Sequence, residues 1–153
     1  MTPAIALLVM MSAAPAANGE RFVVELRVIE GVPNSSESSG KQIIDPRLAT
    51  FAKDLKVLPF KELKLIDSHT TSVRKDERIS LEIPGATKSG KKRFLQVASH
   101  GRQAGGKLRF QLSIDAVKFD TLVAVPDGGT IFVAVPKNGG PATLFAFTAR
   151  SQP

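Results

Sequence analysis

The feature that most constrains this chain is the alternation of single apolar and single polar residues along most of its length. Over 107–114 the pattern is strict. Leu108, Phe110, Leu112 and Ile114 fall in one register, and Lys107, Arg109, Gln111 and Ser113 in the other. A repeat of two is the period of a strand with one buried face; a helix would need a repeat near 3.6. The same alternation places Phe22, Val24, Leu26 and Val28 on one face over 21–30. It recurs in Ile79, Leu81 and Ile83, set against Arg78, Ser80 and Glu82, until Pro84-Gly85 ends the strand. Further strands are expected over 61–67 and 93–99. The latter joins 107–114 through the Gly-rich stretch 101–106, which is a hairpin signal.

One segment changes period. Asp45 is a favoured N-cap and Pro46 fits a first helical position. Leu48, Phe51, Ala52 and Leu55 follow at helical spacing, and Pro59 limits the run. The spacing predicts one short helix near 46–57, which must dock on a sheet to be stable. Polar residues from Gly31 onward predict a mobile loop near 31–45. Toward the C-terminus, Val123-Ala-Val-Pro recurs as Val133-Ala-Val-Pro, each followed by a Gly-Gly turn. Two copies are too few for a repeat architecture, so they read as two similar hairpin turns. The fold expected is mainly β (α+β): an antiparallel β-sandwich or curled sheet of about eight strands with one short helix. A half-open barrel is the alternative.

With 153 residues the chain suits one domain, which buries about two thirds of its unfolded surface. Residues 4–11 form a short apolar run, followed by Ala14-Pro-Ala16, an Ala-x-Ala cleavage pattern. The expectation is a cleaved signal peptide over 1–16 and a single domain over 17–153, exported to the periplasm or outside the cell. No basic residue precedes the apolar run, which departs from the usual pattern. An eight-residue run would span only about 12 Å as a helix, too little for a bilayer of about 30 Å, so no transmembrane span is expected.

The chain has no cysteine, which removes disulfides, thiolate metal sites and cysteine nucleophiles. It has nine Phe but no Trp or Tyr, so stacking platforms with a polar edge are missing. Of the formal charge of +7, residues 1–82 contribute nothing, with eleven cations against eleven anions. Residues 115–153 also cancel. The whole excess lies in Lys88, Lys91, Lys92, Arg93, Arg102, Lys107 and Arg109, with no acid among them. On the predicted hairpin these form a basic stripe with a group at each end. Such a stripe suits an anionic surface, an acidic polymer or an acidic protein patch, or it blunts a sheet edge against aggregation. Nucleic acid is disfavoured because no basic–aromatic recognition motif is present.

Catalytic signals are thin. Asp67 and His69 would share a face of an extended segment, but supply only two ligands to a metal. Ser68 would point the other way, and no nucleophile-elbow motif exists. His69 is therefore expected in a surface turn, and His100 as part of the basic edge. Asp76-Glu77 lie in a predicted charged turn and Asp115 and Asp120 flank an expected strand junction, with no apolar pocket to perturb either pair. No cofactor or metal motif is present. The expectation is a non-enzymatic accessory protein of the cell envelope. It would dock a protein or anionic partner through a sheet edge, the basic stripe, or both. The alternative is a small exported hydrolase or metal-dependent enzyme built on His69 and Asp67.

Overall fold

A computed structural model describes residues 20–34, 40–86, 92–115, 118–135 and 142–153. The expected signal segment and the lysines Lys88 and Lys91 lie outside these residues. The described chain is a mainly β sandwich of two sheets. One has the order β2-β3-β1-β9-β8 and the other β4-β5-β6-β7. The strands are β1 (Arg21–Pro33), β2 (Ile43–Ile44), β3 (Phe60–Arg74), β4 (Arg78–Ala86), β5 (Lys92–Arg102), β6 (Leu108–Ile114), β7 (Phe119–Val125), β8 (Thr130–Val135) and β9 (Ala142–Ser151). All pairings are antiparallel except that of β2 with β3.

The alternating residues fill the space between the sheets as their period dictates. Phe22, Val24, Leu26 and Val28 of β1 meet Leu108, Phe110, Leu112 and Ile114 of β6, together with Phe145 and Phe147 of β9. A second core lies on the outer face of the five-stranded sheet. There Ile29, Leu63, Leu144 and Ala146 are covered by Leu48, Phe51 and Leu55 of the helical segment. Strand β9 therefore buries four consecutive residues, Leu144 to Phe147, because apolar layers lie on both sides of it.

The helical segment is shorter and tighter than a helix over 46–57. Pro46–Phe51 is 3₁₀, and only Ala52–Leu55 (α1) is α-helical. The spacing explains the mixture. Leu48 and Phe51 are three apart, which a 3₁₀ turn stacks on one side. Phe51 and Leu55 are four apart, which suits an α turn. Asp45 caps the segment as expected, accepting from the Arg47 amide at 3.0 Å. Its other oxygen accepts from the Leu65 amide at 3.0 Å, while Arg47 Nη2 donates to the Leu65 carbonyl at 2.9 Å. These two side chains continue the ladder where the two-residue β2 stops. The Arg47 guanidinium and amide hold the Asp45 carboxyl far below the usual carboxylate range.

Three boundaries differ from the sequence pattern. Strand β1 runs on to Pro33, pairing Gly31 with Leu63 and Val32 with Glu62. Gly31 is needed there, since a Cβ would approach the Phe60 ring to 2.7 Å. Strand β3 continues well past Asp67, so His69 is on a strand and not in a turn. A bulge at Ile66 lets Leu63 and Leu65 face the outer core while Asp67, His69 and Val73 face the other sheet. Finally, the first Val-Ala-Val-Pro copy is no hairpin. Pro126 ends the ladder, Gly128 adopts φ +81°, and its amide bonds the Ala149 carbonyl, so the chain crosses from one sheet to the other.

Candidate functional site

The β5–β6 hairpin forms the middle of the four-stranded sheet; Lys92, Arg102, Lys107 and Arg109 are on its solvent side or turn, whereas Arg93 falls in the inward register opposite Ile83 and is half-buried. Gly105 and Gly106, at φ +96° and +86°, make its turn. Lys92 and Arg93 sit at one end, and Arg102, Lys107 and Arg109 at the other.

Acids from neighbouring elements meet two of these cations, Lys92 and Arg102. Lys92 Nζ lies 3.5 Å from the Glu82 carboxylate of β4. Arg93 is turned back on the chain, donating to the Pro84 carbonyl at 2.9 Å. Arg102 is the most constrained. Its guanidinium donates to Asp127 Oδ2 at 3.0 Å, to the Gly106 carbonyl at 3.0 Å, and to the Ser151 hydroxyl. Asp127 also accepts from the Ser151 amide and hydroxyl, at 2.8 and 2.7 Å. Arg102 thus ties the hairpin turn to the β7–β8 corner and the end of β9. Only Lys107 and Arg109 of the stripe have no ion-pair partner or side-chain hydrogen bond among the described residues. Arg109, His100, Gln103, Gln111 and Leu122, with Arg102, line a shallow open groove of about 530 Å³ on the outer face. Arg109 stands opposite Ala124 of β7.

The Asp127 cluster gives a pH prediction. The Ser151 donors, with Arg102, lower its carboxyl from 3.8 to about 2. A depressed folded-state value means the anion stabilises the fold fully above about pH 4, and that this is lost as pH falls toward 2. Stability measured by urea titration should therefore fall less steeply between pH 4 and 2 in Asp127→Asn than in the wild type. Equal slopes would show that the cluster contributes nothing. The effect is modest, because the Asp127 and Arg102 side chains are 37% and 39% exposed and solvent screens them.

Asp67 and His69 do come together. His69 Nε2 lies 3.0 Å from Asp67 Oδ2. They oppose Val28 and Leu26, so both point toward the other sheet. Ser68 and Ser72 oppose Arg27 and Val23 on the far face, so neither serine can meet His69. Among the described residues no group of three or more metal-ligating side chains is gathered.

A different surface was not singled out by the sequence pattern. Strand β8, Thr130-Ile-Phe-Val-Ala-Val135, is the outer edge of its sheet and carries no charge. Beside it, joined by the 126–129 corner, β7 forms the edge of the other sheet with Asp120 as its one charge. Leu122 of β7 is 53% exposed. The opposite side of the sandwich is different: the two-residue β2 covers β3 only at Glu62 and Leu63, β3 carries Lys61, Glu62, Lys64, Asp67 and Arg74, and β4 carries Arg78 and Glu82. Charges on an edge strand guard it against pairing with another chain, and β8 has no such guard. The signal available in the sequence was that Asp127 is the one charged residue between Thr121 and Val135.

No helix among the described residues is long and apolar enough to cross a membrane. A comparison with protein-family models finds no match, and a search of curated proteins finds none either.

Proposed function

We propose that this protein is a non-enzymatic accessory module of the cell envelope, exported from the cytoplasm, that docks a protein partner by strand addition at the β8 edge. The observation that carries this reading is the six-residue uncharged edge itself. Strand addition draws its affinity from main-chain hydrogen bonds and needs no special side chains, which suits a chain without Cys, Trp or Tyr. Magnitudes favour the edge over the basic stripe. Each cation near an anionic surface contributes about 1 kcal/mol. Among the described residues two cations of the stripe, Lys107 and Arg109, are without an ion-pair partner, and two such charges supply only a weak and salt-sensitive attraction. The groove beside Arg109 supports a secondary role for that end, orienting the module toward an acidic partner. Among the described residues no third His, Asp or Glu side chain gathers with Asp67 and His69 to hold a metal, and Ser68 and Ser72 lie on the other face, so no observation favours the hydrolytic alternative.

Site-specific photo-crosslinking in cells that make the protein tests the edge. A crosslinker at Ala134, exposed on β8, should yield an adduct, and one at Ser80, exposed on β4, should not. Equal yields at both positions, or none at Ala134, would count against docking at β8.

A further inference from the structure

We infer that the groove on the outer face of the four-stranded sheet is a carboxylate-binding site, and that its occupant is an acidic peptide segment of a protein partner. This deepens the secondary role given above to the Arg109 end, and it does not require docking at β8. Three observations carry it.

The first is a strand irregularity that gathers polar groups. The β5–β6 ladder slips between Ser99 and Gly101, so His100 and Gly101 together oppose Arg109. A bulge of this kind re-aims a side chain and interrupts regular pairing. Here it sets the exposed His100 on the same groove as Arg109. Gln103 lines the groove with them. The site therefore stands on the two central strands of the sheet and not on a loop alone.

The second is an unspent guanidinium. Arg102 and Arg109 both line the groove, but they differ. Arg102 is held by Asp127, the Gly106 carbonyl and Ser151, so it serves as a fixed wall. Arg109 has no ion-pair partner among the described residues. Its planar fork of N–H donors matches the two oxygens of one carboxylate, which the point charge of a lysine does not.

The third is the order of charge and apolar surface along the groove. No Asp or Glu is among the described residues that line it. Asp127, at the corner, is spent on Arg102 and Ser151. Asp120, on the outer face of β7, stands opposite Ser113, four residues along β6 from Arg109. At about 3.3 Å per residue that is about 13 Å, beyond a screening length of about 8–10 Å. Its Oδ1 already accepts from Gln111 Nε2 at 2.8 Å. Between the two lies Leu122, opposite Gln111 and 53% exposed. An anion therefore belongs at the Arg109 end, with an apolar neighbour in the same ligand on Leu122. A peptide supplies that order. A uniformly charged polymer or a lipid surface would instead meet Asp120.

Titration of the purified chain, followed by its amide resonances, tests this. The probe is a short end-blocked peptide with one Glu next to one Leu and otherwise Gly and Ser; its control carries Gln in place of Glu. The expected result is saturable shifts over 98–103, 107–111 and 122–124 with the Glu peptide, and none with the control at the same concentrations. Arg109→Gln should weaken binding by about tenfold while leaving the thermal melt unchanged, since that side chain is exposed. Arg109→Lys should recover only part of the loss. Higher salt should weaken binding. Equal shifts from both peptides, full binding by Arg109→Gln or Arg109→Lys, or no saturable shift with the Glu peptide would each overturn the site. So would tighter binding of polyphosphate or of anionic-lipid vesicles than of the Glu peptide, which would make this face a general anion surface. The edge reading fails separately. A lost titration with the Ala134 adduct intact removes the groove site alone. A saturating titration with no Ala134 adduct removes the docking edge and keeps the groove.

Discussion

Phe110→Ala should destabilise the protein by about 3–5 kcal/mol, the usual cost of removing a buried aromatic and leaving a cavity. Phe110 is fully buried at the centre of the inter-sheet core. Its ring meets Phe22 edge-on at 5.9 Å and Phe147 at 5.1 Å, so one truncation leaves two aromatic partners facing a void. Domains of this size have total stabilities of about 5–15 kcal/mol, so the loss is a large fraction of the whole. A thermal melt should show the midpoint falling by about 10 °C, taking 2–4 °C per kcal/mol. The control is Phe94→Ala in the neighbouring strand. Phe94 is 42% exposed and points out of the sandwich, so its loss should cost no more than about 0.5 kcal/mol. Similar shifts for the two variants would mean that the faces of this sheet are wrongly assigned.

That contrast also marks what the sequence could tell. Alternation placed Phe110 inside and Arg109 outside because a period of two needs no knowledge of any other strand. The inward set of β1 was legible for the same reason. What could not be read was whatever depends on which strands are neighbours. The seven cations had no acid within their own stretch, yet Glu82 arrives from β4 and Asp127 from the β7–β8 corner to meet Lys92 and Arg102. The likeness of the two Val-Ala-Val-Pro turns hid that the first changes sheet. Likewise, the lack of charge in 130–135 was visible, but its position at an edge depends on the sheet order. His69 was misplaced because Ser, Thr and Asp around it resemble a turn. Pairing with the apolar β1 holds that polar run extended through Arg74.

Leu48→Ala tests whether the outer layer is a separate cooperative unit. Leu48 is fully buried against the five-stranded sheet with Phe51, Leu55 and Leu63. The cavity term again sets a cost of about 2–5 kcal/mol, but the segment that carries it is short. It is held by that apolar contact, by the Asp45 and Arg47 bonds to Leu65, and by Gln42. The Gln42 amide nitrogen lies within 3.3 Å of the carbonyls of Leu55, Leu58 and Phe60. The main sandwich core is complete without it, since its residues come from the strands alone. Such a layer can open locally at less cost than global unfolding. Hydrogen exchange in Leu48→Ala should therefore quicken over 45–58 while the β6 amides stay as protected as in the wild type. The melting midpoint should fall less than in Phe110→Ala. Uniform acceleration of exchange, β6 included, would instead show that sandwich and outer layer unfold as one. In that case Ile29, Leu144 and Ala146, on the outer face of β1 and β9, couple the two cores through the sheet they share.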